Sequence, residues 1–100
     1  MSKRKFYFIV FEGVEGTGKS FQIDKLYKNL IKLKLNVLKT REPGGSKNAE
    51  KIRKLIFSNK FDKITDFYLL NAARNEHIKN TLLLAKKNKK IVLCDRFTDS

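Results

Sequence analysis

Apolar residues fall along this chain in blocks whose periods indicate the elements they form. A continuous apolar run from about Phe6 to Phe11 reads as a buried strand. From about Lys19 to Lys34 the pattern changes: Ile23, Leu26, Leu30 and Leu33 return at helical spacing to one face. A short second strand is predicted at Asn36 to Thr40. It is followed by a polar turn, Pro43-Gly44-Gly45, and by a helix from about Ser46 to Phe57 whose Ile52, Leu55 and Ile56 face a core. A longer helical region spans roughly Ile64 to Lys86. Lys90 to Cys94 is a third strand, and its unbroken Ile91-Val92-Leu93-Cys94 suits the middle of a parallel sheet covered on both faces. This alternation predicts an α/β fold, a parallel sheet with flanking helices.

The junction between the first strand and the first helix carries Gly13-Val14-Glu15-Gly16-Thr17-Gly18-Lys19-Ser20. Alone, such a string could be an ordinary glycine turn; between a strand and a helix it reads as a phosphate cradle. Gly13, Gly16 and Gly18 let the backbone curl until its N–H groups point inward, and the N-terminus of the helix adds partial positive charge. Lys19 can reach the β- and γ-phosphates of a nucleoside triphosphate, and the Ser20 hydroxyl can join the coordination sphere of a phosphate-bound Mg²⁺. ATP and Mg²⁺ are therefore the expected ligands, while the string says little about what accepts a phosphoryl group. Glu15 bears on that question. Pointed inward, its carboxylate would be repelled by the triphosphate, so it is expected to face a second substrate and accept a hydrogen bond from a sugar hydroxyl.

In an open parallel sheet, ligands bind beyond the carboxyl ends of the strands. Three polar groups are expected there: the glycine-rich loop after the first strand, Arg41-Glu42-Pro43-Gly44-Gly45 after the second, and Asp95-Arg96 at the end of the third. Arg41 can grip a phosphate bidentately, and Arg96 can place charge near a transferring phosphoryl group, a reaction catalysed chiefly by positioning and electrostatics. Asp95 can help position Mg²⁺ or its waters.

Charge, cysteine content and length change this picture only at its margins. The net charge of +13 invites a nucleic-acid reading, but eleven Lys/Arg against five acids in residues 1–50 and twelve against five in residues 51–100 spread the excess evenly. No dedicated nucleic-acid partner is expected, and the run Lys86-Lys87-Asn88-Lys89-Lys90 reads as a solvated turn. Cys94 is the single cysteine, with apolar neighbours, and is expected to be a core thiol. His77 lacks a second ligand at metal-binding spacing, so a helix-surface or structural role is expected. Phe61, Phe67 and Tyr68 read as packing aromatics, with Phe67 or Tyr68 as candidates to line an acceptor cavity. No apolar stretch is long enough to cross a bilayer, and Glu12 interrupts any signal-peptide core, so a cytoplasmic location is expected. With 100 residues and three strands, the sheet is expected to be incomplete at the C-terminus.

Four blocks in order, Phe8 through Ser20, Thr40-Arg41-Glu42-Pro43-Gly44-Gly45, Ala72-Ala73-Arg74-Asn75-Glu76-His77 and Asp95-Arg96-Phe97-Thr98-Asp99-Ser100, resemble the signature of bacterial thymidylate kinases. The resemblance implies that residues 1–100 are the N-terminal portion of a single P-loop kinase domain of the nucleoside-monophosphate-kinase type. It implies transfer of the γ-phosphoryl group of ATP to dTMP, giving dTDP and ADP for dTTP synthesis, in a cytoplasmic homodimer with Mg²⁺. By position, Glu15 resembles the carboxylate near the deoxyribose hydroxyl, and Arg41 and Arg96 the arginines of the acceptor phosphate and transfer region. Arg74 resembles the arginine at the thymine edge, and Asp95 belongs to the active-site Asp-Arg pair. Two positions depart from the family pattern. Phe21 replaces a small hydroxyl residue and is expected to pack under the sheet. Leu70 stands where a Phe commonly stacks on thymine, and can offer the base only an apolar contact. Other nucleoside or nucleotide kinases, or a nonenzymatic ATP- or nucleic-acid-binding fragment, are the alternative readings, and the isolated 100 residues are expected to be inactive.

Overall fold

The computed structural model describes residues 5–13 and 18–97. Its elements are β1 (Tyr7–Gly13), α1 (Lys19–Lys32), β2 (Val37–Glu42), α2 (Lys47–Ser58), α3 (Lys63–His77), a π-helical segment (Ile78–Leu82), α4 (Leu83–Lys87) and β3 (Ile91–Phe97). The three strands form one parallel sheet in the order β1-β3-β2. The most apolar strand is thus the central one, and Val92, Leu93 and Cys94 are fully buried. α1 packs against all three strands, α2 packs on α3, and α3 reaches β2.

Local chemistry accounts for most boundaries. Ser46 caps α2 by accepting a hydrogen bond from the Ala49 N–H, and Asp62 caps α3 by accepting from the Thr65 N–H at 2.7 Å. α1 ends with Lys34 at a φ of 61°, the Lys34 N–H donating to Ile31 O at 2.9 Å and the Leu35 N–H to Leu30 O at 3.2 Å. α4 ends the same way: Lys89 has a φ of 54°, its N–H donates to Lys86 O, and the Lys90 N–H donates to Ala85 O. Both are left-handed helix stops of the kind that glycine usually makes, here made by lysine. The run from Lys86 to Lys90 is therefore a turn, as expected, with a defined stop inside it.

Several expectations are corrected. The three predicted strands stop too early: parallel pairing continues to Glu42↔Arg96 and Gly13↔Phe97, so Arg41, Asp95 and Arg96 are themselves paired strand residues. Their polar side chains end the apolar pattern, but their backbones still pair. The long helical region is not continuous α-helix, being interrupted by the π segment. Leu33 and Leu55 are exposed, and so is Phe21, which does not pack under the sheet. Phe67 and Tyr68 are not core aromatics: they lie exposed on α3, edge to face at 5.6 Å from each other. Among the described residues, no helix is long and apolar enough to cross a membrane.

Candidate nucleotide-binding site

Lys19 opens α1, directly after Gly18, whose φ of 82° is a left-handed turn that glycine adopts without strain. Its ammonium is carried to the carboxyl ends of β1 and β3, where it donates to Gly13 O at 2.8 Å and Arg96 O at 3.1 Å and lies 2.7 Å from Asp95 Oδ1. The side chain is only 7% exposed, so this cation is fixed where the glycine-rich string closes. The contact with Asp95 is an ion pair without hydrogen-bond geometry, which leaves the buried Oδ1 with no hydrogen-bond donor among the described residues. Val14, Glu15, Gly16 and Thr17 lie outside the described residues, as do Thr98, Asp99 and Ser100.

Asp95 and Ser20 line one cleft of about 370 Å³ together with Ile23, Thr40, Arg41 and Glu50. Arg41 points its fork at Glu50: Nε donates to Oε2 at 3.0 Å, and Nη2 donates to Oε1. The Gly45 N–H donates to the same Oε2 at 2.8 Å. Hydrogen bonding from Arg41 and Gly45 holds the Glu50 carboxyl down to about 2 against the opposing effect of burial. An arginine fork and a backbone N–H thus form an anion cradle that takes a carboxylate of the same chain.

Deeper in the molecule, Glu42 is 5% exposed, and a carboxylate so placed requires partners. It has three. His77 Nδ1 lies 2.9 Å from Oε2, while Arg96 Nη2 at 3.0 Å and Arg74 Nε at 3.5 Å both face Oε1. The bond to His77, reinforced by Arg96 and Arg74, holds the Glu42 carboxyl down to about 2. His77, fully buried, passes the constraint on, its Nε2 lying 2.6 Å from Thr40 Oγ1. Arg96 also donates to Glu12 Oε1 at 2.9 Å, and its buried Nε has no acceptor among the described residues.

The turn after β2 is locked to this cluster. A Cβ on Gly45, whose φ is 92°, would overlap the His77 ring and Thr40 Oγ1, and Thr81 Oγ1, in the π segment, donates to Gly45 O at 2.7 Å. The Glu42–Pro43 peptide is cis, and Pro43 O accepts from Arg53 at 2.8 Å.

The structure therefore brings Lys19, Ser20, Arg41, Asp95 and Arg96 to the carboxyl end of the sheet, with Arg74 reaching it from α3. Leu70, one helical turn before Arg74, is exposed. His77 has the structural role expected, in the interior and not on a helix surface. Cys94 is a core thiol whose pKa burial pushes up to about 12, far from nucleophilic. Glu42 and Glu50 were absent from the expected site residues. Glu42 carried one readable signal, an acid beside an arginine at the carboxyl end of a strand. Glu50 carried none, because its partner Arg41 is nine positions away on another element.

A parallel sheet with a buried lysine following a glycine-rich turn, an Asp-Arg pair on the central strand and helices alongside defines a P-loop fold of the nucleoside-monophosphate-kinase type. The family model for thymidylate kinase matches residues 11–100. The chain is 50% identical over 93 residues to a thymidylate kinase of Finegoldia magna, covering 90% of this chain and 46% of the relative. It is also 50% identical over 96 residues to one of Vesicomyosocius okutanii, covering 93% and 47%. A crystal structure of thymidylate kinase from Ehrlichia chaffeensis superposes with a TM-score of 0.84 at 37% identity, covering 93% of this chain and 54% of that one. The chain belongs to the thymidylate kinase family. It spans about half the length of the curated relatives it matches.

Proposed function

We propose that the protein carrying this chain transfers the γ-phosphoryl group of ATP to dTMP, with residues 1–100 as the N-terminal portion of a single P-loop kinase domain. The observation that carries this reading is the convergence of Lys19, Asp95 and Arg96 at the carboxyl ends of β1 and β3, facing Arg41 and Arg74 across the same end of the sheet.

An oxygen of the dTMP phosphate forms a bond to the γ-phosphorus while the bond from that phosphorus to the β–γ bridging oxygen breaks, and ADP leaves with the electron pair. Such a transfer needs positioned positive charge more than covalent chemistry. Lys19 exchanges its contacts with Asp95 and the strand carbonyls for phosphate oxygens. Arg96, whose Nε has no acceptor among the described residues, faces the transferring group, and Arg41 takes the acceptor phosphate in the cradle now filled by the Glu50 carboxylate. Arg74 selects the base with Leu70 as its apolar neighbour, and Glu15 accepts from the sugar hydroxyl.

Mg²⁺, when bound, neutralises charge on the phosphates. The chain's oxygens suit it, since the Ser20 hydroxyl and the Asp95 carboxylate share a cleft and Asp95 Oδ1 has no hydrogen-bond donor among the described residues. Among the described residues no group of three acidic, histidine or cysteine side chains could hold a metal alone, so phosphate oxygens and water complete the shell. The resemblance adds a cytoplasmic homodimer. A coupled ADP-release assay on the full-length protein with MgATP tests the activity, comparing dTMP with dUMP, dCMP and no acceptor. Turnover is expected with dTMP above all others; equal rates with dCMP, or none with dTMP, would overturn the reading.

A further inference from the structure

Glu42 stands at the meeting point of three elements. It ends β2, its backbone pairs beside Arg96 of β3, and its carboxylate is held from α3 by Arg74 and His77. Arg74 and His77 are three residues apart, so they project from one face of the helix and grip the carboxylate together. The two oxygens have separate partners. Oε2 belongs to His77, which is itself anchored on Thr40, and this sets the plane of the carboxylate. Oε1 then faces two arginines at once, Arg96 at 3.0 Å and Arg74 at 3.5 Å. Without that shared oxygen, the two guanidinium groups would repel each other at the mouth of the buried carboxylate.

We propose that Glu42 is a positioning residue that fixes Arg74 and Arg96 as one unit, so that recognition of the acceptor base and transfer of the phosphoryl group are coupled through a single carboxylate. The inference rests on the dTMP kinase reading of the site. A displacement of one guanidinium by about 1 Å costs on the order of 100-fold in rate when the group must meet a transition state. Glu42 touches no substrate in this scheme and acts only through the two arginines. His77 acts one step further out, through Glu42.

The test is steady-state kinetics of the full-length protein with Glu42→Gln, in which the amide oxygen can still face the arginines while the charge is lost and the amide NH2 replaces the oxygen that faces His77. The coupling predicts that kcat falls by about 10- to 100-fold and KM for dTMP rises, while KM for ATP stays within about twofold, at a temperature well below melting. It also predicts that Arg74→Gln adds less to KM for dTMP in the Glu42→Gln background than it does alone.

His77 supplies a second pair of variants should Glu42→Gln fold poorly. His77→Asn can keep a polar atom near the Nδ1 position, facing Glu42, whereas His77→Gln can keep one near Nε2, facing Thr40. The Asn variant is expected to retain more kcat than the Gln variant. Equal kcat for the two, or parameters for both substrates falling together with thermal stability, would mean a purely structural role and overturn the proposal. So would Glu42→Gln kinetics within about twofold of the unaltered protein. Absence of dTMP-dependent ADP release in the unaltered protein would instead overturn the kinase reading, and the coupling with it.

Discussion

The two sides of the site are built differently. On the phosphate side, one string of consecutive residues runs from Gly13 to Ser20, and its described side-chain hydrogen bonds and ion pair place a single cation, Lys19, against the ends of two strands. On the side proposed to take the acceptor, Thr40, Glu42, Arg74, His77 and Arg96 come from three elements and hold one another through a buried carboxylate and a buried imidazole. A binding surface for phosphate needs closely spaced N–H groups and one charge, which a turn can supply locally. A surface that must tell one base from another needs groups held at fixed separations, which only tertiary packing supplies. If that contrast is sound, perturbing each side should produce a different signature.

The largest effect is expected from Lys19→Ala. Loss of a preorganised cation at a transferring phosphoryl group should lower kcat of the full-length protein by about 100-fold or more. Affinity for dTMP, measured by calorimetry, should change little, because the described Lys19 contacts reach the backbone carbonyl of Arg96 but not its guanidinium, nor Arg74, Glu42 or His77. A large loss of dTMP affinity would mean that the two sides are not separable. It would also reassign Asp95, which forms an ion pair with Lys19, to acceptor binding.

The same contrast explains what the sequence disclosed. Hydrophobic periodicity located all three strands and the helices that flank them, and placed the third strand at the centre, because Ile91 to Cys94 is apolar on both faces. The phosphate loop was legible for a related reason, since its chemistry is written in neighbouring residues. Glu50 was not legible, and the one signal at Glu42, an acid beside an arginine at a strand end, did not reveal its burial. Whether an acidic residue on a basic chain is solvated or buried against a histidine depends on packing between residues 35 positions apart. The π segment was hidden as well, since Ile78 to Leu82 has an ordinary helical composition. Phe67 and Tyr68 misled in the opposite direction: aromatic character implied a core, and the helix presents them outward.

A pH series sharpens the contrast inside the acceptor side, between its buried cluster and its rim. The Glu42 carboxyl is lowered from its ordinary 4.5 to about 2, so its contribution is complete above about pH 5 and is lost as pH falls toward 2. Because the side chain is 7% exposed, that contribution is about 3 kcal/mol. Glu50 is lowered to a similar value, but it and Arg41 are more than a third exposed, so solvent screening reduces what the pair contributes. Urea unfolding between pH 6 and about pH 3 should therefore show an acid limb that flattens strongly in Glu42→Gln and only slightly in Glu50→Gln. Equal flattening would place the exposed pair on the same footing as the interior cluster and remove the distinction.

The smallest effect is expected far from both sides, where it serves as the control. Lys89 sits in the left-handed region at a φ of 54°, directly before β3, in a stop that normally uses glycine. A lysine there carries about 1–2 kcal/mol of steric cost, of which replacement by glycine recovers only part, because glycine also loses more freedom on folding. Lys89→Gly should stabilise the protein by about 0.5–1 kcal/mol in urea unfolding. Lys89 makes no described contact with Lys19, Glu42 or the arginines, so kcat and both KM values should remain at their unaltered levels. A change in kcat that accompanied the gain in stability would show that the position of β3 responds to its entry turn. Asp95 and Arg96, at the far end of that strand, would then be set by the whole sheet and not by the local partners described above.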